Sequence, residues 1–142
     1  MTYQVSIFLE NKIGHFQRVT SILREALVNI RSMTLNNTVS GWGILNLVVD
    51  DPEKACESLA SRGVSAVLRE IIILGMEDKP GGLDEVLRKI AGAGVNFENV
   101  YGINSGKLAF LIIDVGSIND ARVKLLNVGI TPLTPEDSYM IK

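Results

Sequence analysis

Tyr3, Val5, Ile7 and Leu9 alternate with Gln4 and Ser6, the period of two required of a strand with one buried face. From Phe16 the period changes. Phe16, Val19, Ile22, Leu23, Ala26 and Leu27 fall at helical spacing, with Gln17, Arg18, Arg24 and Glu25 on the opposite side. Asn29 reads as the stop of that helix. An apolar–polar stretch near Ile30 to Thr38, a turn at Ser40-Gly41-Trp42-Gly43 and the apolar run Ile44 to Val49 predict a hairpin. Asp51-Pro52 supplies an N-cap and first-turn proline for a second helix, which runs through Ala55 and Leu59 to Gly63. A short strand over Ser65 to Leu68 closes the series.

The same order then recurs: strand Ile71 to Met76, helix Leu83 to Ala93, hairpin Phe97 to Val115, helix Ile118 to Asn127 and a last strand around Leu133 to Ile141. Glu10, Lys12 and Gly14 meet Glu77, Lys79 and Gly81 at an offset of 67 (77 minus 10), as do Val19 with Val86 and Asn29 with Asn96. The run Ile44 to Asp50 meets Leu108 to Asp114 at an offset of 64 (108 minus 44), as though the second copy had lost three residues, and Gly63-Val64 meets Gly129-Ile130. Each copy is therefore βαββαβ, a ferredoxin-like unit with an antiparallel sheet and its helices on one face. The expected fold class is α+β, two such units in tandem, with domains at 1–69 and 70–142. Units of this size have marginal cores alone, and only Arg69-Glu70 separates the copies, so a fixed interface between them is expected.

Composition narrows the partners. At 46% hydrophobic and 21% charged the chain can build a core. A net charge of −2, a pI near 5.4 and no Lys/Arg cluster argue against a nucleic-acid partner. The apolar segment Ile103 to Ile113 contains Asn104, Gly106 and Lys107 and is too short and polar to cross a bilayer. The N-terminus lacks the pattern of a signal peptide. A lone cysteine, Cys56, on an apolar helix face fits a reducing cytoplasm and reads as a small buried residue. With His15 the only histidine there is no His pair for a metal and no Ser-His-Asp or Cys-His set nearby, and no phosphate-binding, dinucleotide or paired-cysteine motif occurs. Neither a metal, a cofactor nor a catalytic residue is expected. Asp50-Asp51 reads as capping, and Trp42 on the hairpin as a subunit contact.

The repeated strand-to-helix junction carries the remaining chemistry. E-N-K-I-G-H-F at 10–16 and E-D-K-P-G-G-L at 77–83 each deliver the free N–H groups of a helix start to one spot, which suits a carboxylate. Gly14 and Gly81-Gly82 allow unusual turn angles and a close approach of ligand to backbone. Asn29 and Asn96 add both an acceptor for an ammonium and a donor for a carboxylate, and the charge of Asp78 exceeds the pull of Asn11 on a cation.

Those junctions, with L-V-N-I and G-V-N-F after the helices, resemble the ACT domain, over nearly the whole chain as a tandem pair. ACT domains are regulatory modules of amino-acid metabolism that typically bind an amino acid where two modules meet. The resemblance implies ligand contacts at Asn11, Ile13, Gly14, His15 and Asn29 in the first copy, and at Asp78, Pro80, Gly81, Gly82 and Asn96 in the second. Pro80 keeps the proline usual before the glycine, whereas Ile13 replaces it, so the two sites need not be equivalent. The expected function is a free-standing, non-enzymatic, cytoplasmic sensor that binds a small amino acid between modules and acts through a partner enzyme, as a homodimer. The alternatives are an assembly subunit of an amino-acid metabolic enzyme and a small enzyme on the same scaffold.

Overall fold

The computed structural model describes residues 2–38, 40–106 and 108–139. In chain order the elements are β1 (Thr2–Glu10), α1 (His15–Glu25), β2 (Ile30–Asn37), β3 (Trp42–Val49), α2 (Pro52–Ser61), β4 (Ala66–Glu77), α3 (Gly82–Ala93), β5 (Asn99–Ser105), β6 (Leu108–Asp114), α4 (Ile118–Asn127) and α5 (Pro135–Tyr139). The described residues pack as two compact units, 3–69 and 70–139, the second also taking in Thr2. The class is α+β, with two ferredoxin-like units in tandem.

In the first unit the strand order is β2-β3-β1, followed by the start of β4. Val5 and Ile7 of β1 and Leu45, Leu47 and Val49 of β3 face Val19, Ile22 and Leu23 of α1 and Ala55 and Leu59 of α2. All are buried, and each large side chain so removed from water contributes about 1.5–3 kcal/mol. Ala66 and Leu68 close this core from β4. Asp51 caps α2 as its sequence predicts, its carboxylate accepting from Lys54 N–H at 3.1 Å. The second unit repeats the plan with the order β4-β6-β5, its core formed by Ile72, Leu74, Leu111 and Ile113 under Ile90, Ala121 and Leu125.

Four expectations need correction. The Arg69-Glu70 connection is not a linker, because both residues lie inside the continuous strand β4. Ala66, Leu68, Ile72 and Leu74 share one face at a period of two, and Glu70 is the one charged residue in that row. Glu70 instead pairs with Arg122 of α4 at 2.6 Å. The last strand, expected from Leu133 to Ile141, is not formed among the described residues, and Ile141 lies outside them. Leu133 N–H donates to Ile73 C=O at 2.9 Å, but Pro132 and Pro135 have no N–H for a ladder. Thr134 then accepts from Asp137 N–H at 3.2 Å, and Pro135 opens α5.

The offset of 64 is also displaced. In the first unit Ile7 pairs with Leu45 and Leu45 with Leu35, and in the second Leu74 pairs with Leu111 and Leu111 with Gly102. Leu45 thus corresponds to Leu111, an offset of 66 (111 minus 45), which Asp51 and Ser117 at the N-caps of α2 and α4 share. The second copy is one residue shorter, not three. Two apolar runs slid by two residues still show the same face, so the pattern alone does not distinguish the registers.

Finally, Asn29 is not the stop of α1. The helix ends at Glu25, and Leu27 turns left-handed at φ 60°, with Leu27 N–H bonded to Arg24 C=O at 3.0 Å and Val28 N–H to Leu23 C=O at 2.9 Å. Gly94, at offset 67 (94 minus 27), does the same after α3 with φ 76°. A left-handed leucine costs about 1–2 kcal/mol, and Leu27 recovers little by burial, being 83% exposed. Leu27→Gly is expected to raise stability by about 0.5–1 kcal/mol, because the relief outweighs the added unfolded-state entropy. Urea denaturation should show a higher midpoint at unchanged slope. A lower midpoint would show that Leu27 does packing that this geometry does not reveal.

Candidate functional site

The two strand-to-helix junctions share three backbone hydrogen bonds. At the first, Lys12 N–H donates to Glu10 C=O (2.8 Å), His15 N–H to Lys12 C=O (3.2 Å) and Arg18 N–H to Gly14 C=O (2.9 Å). At the second, Lys79 N–H donates to Glu77 C=O (3.1 Å), Gly82 N–H to Lys79 C=O (3.0 Å) and Glu85 N–H to Gly81 C=O (3.0 Å). The repeated Glu-x-Lys spacing is explained by side chains that pair across the turn, Lys12 with Glu10 at 3.2 Å and Lys79 with Glu77 at 2.7 Å. The hydrogen bond to Lys79 holds Glu77 below the usual carboxylate range, and the same bond raises Lys79. Both pairs are solvated and worth little to stability.

Each helix begins at a left-handed glycine, Gly14 at φ 86° and Gly81 at φ 84°, and neither cap position carries a side-chain hydrogen bond. The first-turn N–H groups are thus left uncapped by side chains, at the positive end of the helix dipole. The copies differ one residue later. His15 is half-buried and its Nδ1 lies 3.1 Å from the Glu10 carbonyl oxygen. Gly82 is buried, and a Cβ there would run into the Glu77 carbonyl oxygen.

The other expected residues divide between two places. Asn11, Ile13 and Gly14 are exposed in the first loop, where Asn11 N–H donates to Gly41 C=O at 2.8 Å. Asp78, Pro80 and Gly81 are exposed in the second. Asn29 and Asn96 follow the far ends of α1 and α3, helices of 11 and 12 residues. At 1.5 Å per residue, each asparagine is separated from the loop of its own unit by roughly 16–18 Å of helix. Within a unit they do not converge. Asn29 latches the start of β2, its N–H held by Asp50 Oδ1 at 2.9 Å and its C=O by Asp50 N–H at 3.1 Å. Asn96 borders a polar cavity of about 600 Å³ with Glu98, Ser117 and Lys124.

A second cleft, of about 490 Å³, opens beside the junction of the second unit. Asp78 and Lys79 border it together with Leu83, Leu87, Phe97, Val100, Tyr101 and Gly102. Burial, and then the nearby Asp114 carboxylate, push the Tyr101 phenol above its ordinary range, so it stays protonated near neutral pH. Apart from Asp78, none of these was expected from the sequence. The usable signal was Gly102 standing at offset 67 from Leu35 (102 minus 35).

Elsewhere, Cys56 packs against the first core, and burial raises its thiol pKa, which suits an unreactive residue. Trp42 stacks on Phe8 with centroids 4.9 Å apart. Among the described residues no three His, Cys, Asp or Glu side chains gather as a metal site, and no helix is long and apolar enough to cross a membrane.

The sequence matches the ACT domain pair family over residues 1–136. The chain belongs to that family. This ACT pair is similar to protein BT0572 from Bacteroides thetaiotaomicron, at 27% identity over 98% of this chain and 96% of that one, with a TM-score of 0.89. It also shares its fold with the ligand-free regulatory subunit of aspartate kinase from Thermus thermophilus, at 18% identity over 90% and 93% of the two chains and a TM-score of 0.65. The regulatory subunit of aspartate kinase from Thermus flavus gives 19% identity over 90% and 94%, with a TM-score of 0.56. Comparison with curated protein sequences gave no match.

Gly82→Ala is expected to cost about 1–3 kcal/mol, since a methyl group must displace backbone at the second junction. Denaturant unfolding checks this, and a neutral result would mean that the turn relaxes freely.

Proposed function

We propose that this ACT pair is a non-catalytic regulatory protein that binds an amino acid and signals to a partner enzyme of amino-acid metabolism in the cytoplasm. The observation that carries the reading is the duplicated junction, in which a left-handed glycine stands where a side-chain cap would otherwise cover the first-turn amides. A ligand carboxylate suits those amides, and an asparagine suits its ammonium. The family to which the chain belongs and the regulatory subunits that share its fold support this role.

Loop and asparagine sit at opposite ends of a helix, so one ligand reaching both is held by two modules. We place it where modules of two copies of the chain meet, which makes the working form a homodimer. Ligand would then favour one arrangement of the modules over another, the differential affinity through which a signal passes. A second reading, an assembly subunit, is favoured by the stacked Phe8 and Trp42, which are 65% and 38% exposed.

Thermal unfolding against each of the twenty amino acids separates the two. A midpoint that climbs with the logarithm of one ligand's concentration, equivalent to about 2.7 kcal/mol at a hundredfold excess over Kd, is the expected result. A flat response to all twenty would favour the assembly subunit, and turnover of a metabolite would revive an enzyme.

A further inference from the structure

The cleft of the second unit is lined at one position by a glycine where the duplicate carries a leucine. In the first unit Leu35 stands in the row Ile7–Leu45–Leu35 and packs against the core. The corresponding row of the second unit is Leu74–Leu111–Gly102. Nothing in the backbone calls for glycine at 102. Its φ lies outside the left-handed region, and a Cβ would meet only the Phe110 carbonyl oxygen at an ordinary 3.6 Å.

Gly102 lines a concavity of about 490 Å³, within the range of small-molecule sites. Its walls present large apolar side chains to water, Leu83 at 47% and Val100 at 40% exposure. An unfilled concavity with such walls gives up the burial that the first unit gains with Leu35. Its polar rim carries Glu77, Asp78 and Lys79; Lys79 pairs with Glu77 at 2.7 Å, and Asp78 is an exposed carboxylate on the loop that begins α3. Apolar walls, and a rim on which Asp78 is the carboxylate outside the Glu77–Lys79 pair, complement a molecule with a cationic head and a bulky apolar body.

We propose that this cleft takes an α-amino acid with a large branched or aromatic side chain, its ammonium facing Asp78 and its side chain lying against Leu83 and Val100 in the space that Gly102 leaves. The inference rests on the sensor reading and sharpens it, replacing a small amino acid with a bulky apolar one and, in the second unit, the asparagine with Asp78 as the partner of its ammonium. It also makes Gly102 the position that sets which unit accepts ligand side chains.

Isothermal titration of the whole chain with L-leucine, L-phenylalanine, L-serine and L-aspartate tests this. Leucine or phenylalanine is expected to bind at least about tenfold more tightly than serine or aspartate, the difference that burying an apolar side chain supplies. Gly102→Leu, which rebuilds the first unit's row, should abolish binding without lowering the unfolding midpoint. Asp78→Asn and Leu83→Asn, both at exposed positions, should each weaken binding several-fold, and they keep the test sharp if Gly102→Leu fails to fold. Apolar binding that survives these changes would overturn the proposal, as would binding of serine or aspartate alone, which leaves the sensor reading intact. No heat from any of the twenty amino acids would remove the sensor reading itself.

Discussion

The first helix of each unit, after β1 and after β4, opens on a residue in the left-handed region, and both junctions supply it with glycine, whereas α2 and α4 follow their strands without one. Gly14 and Gly81 reverse the backbone in four-residue loops, so that α1 and α3 can lie back across the strands they follow. The choice has a chemical consequence. A helix that starts on glycine has no hydroxyl or carboxylate to cover its own first turn, and only its first amide is taken up by the loop, His15 N–H by Lys12 C=O and Gly82 N–H by Lys79 C=O. Turn geometry explains why Glu-x-Lys, glycine and the turn bonds recur together.

Duplication preserved this scaffold while letting single positions diverge, and each divergence has a local physical meaning. Leu27 and Gly94 hold the same left-handed turn after α1 and α3, one with strain and one without. His15 folds back toward a carbonyl that Gly82 must approach without a side chain. Leu35 fills the first sheet's outer row where Gly102 leaves it open. Backbone hydrogen bonding tolerates all three exchanges because none removes a ladder donor. The two units therefore share a fold and differ in local packing.

Separation along the helix is the second constraint. A helix of three turns places its two ends too far apart for one small ligand to span. The chemistry grouped by the sequence motif is thus split in space within each unit. An amino acid that engages both kinds of residue must be held by more than one module, which is the arrangement a regulatory protein can use, since occupancy then reports on how modules are assembled.

Much of the fold was legible because it rests on local rules. Period-two alternation marked β1, helical spacing marked α1 and α3, and Asp51-Pro52 marked the start of α2. The junctions were legible too, since glycine at a strand-to-helix turn carries a backbone meaning by itself. Other features depended on what lies across the sheet. The strand β4 continues through Arg69-Glu70 because neighbouring strands pair with it, and the register of β6 is set by its hydrogen bonds, which a pattern of period two leaves free to slip by two. Leu27 ends α1 although leucine is a good helix former, because the bonds from Leu27 and Val28 back into the helix select the turn. The cleft beside Gly102 is visible only once Leu74, Leu111 and Gly102 stand in one row, for a cavity belongs to side chains brought together from distant segments and to no single stretch of sequence.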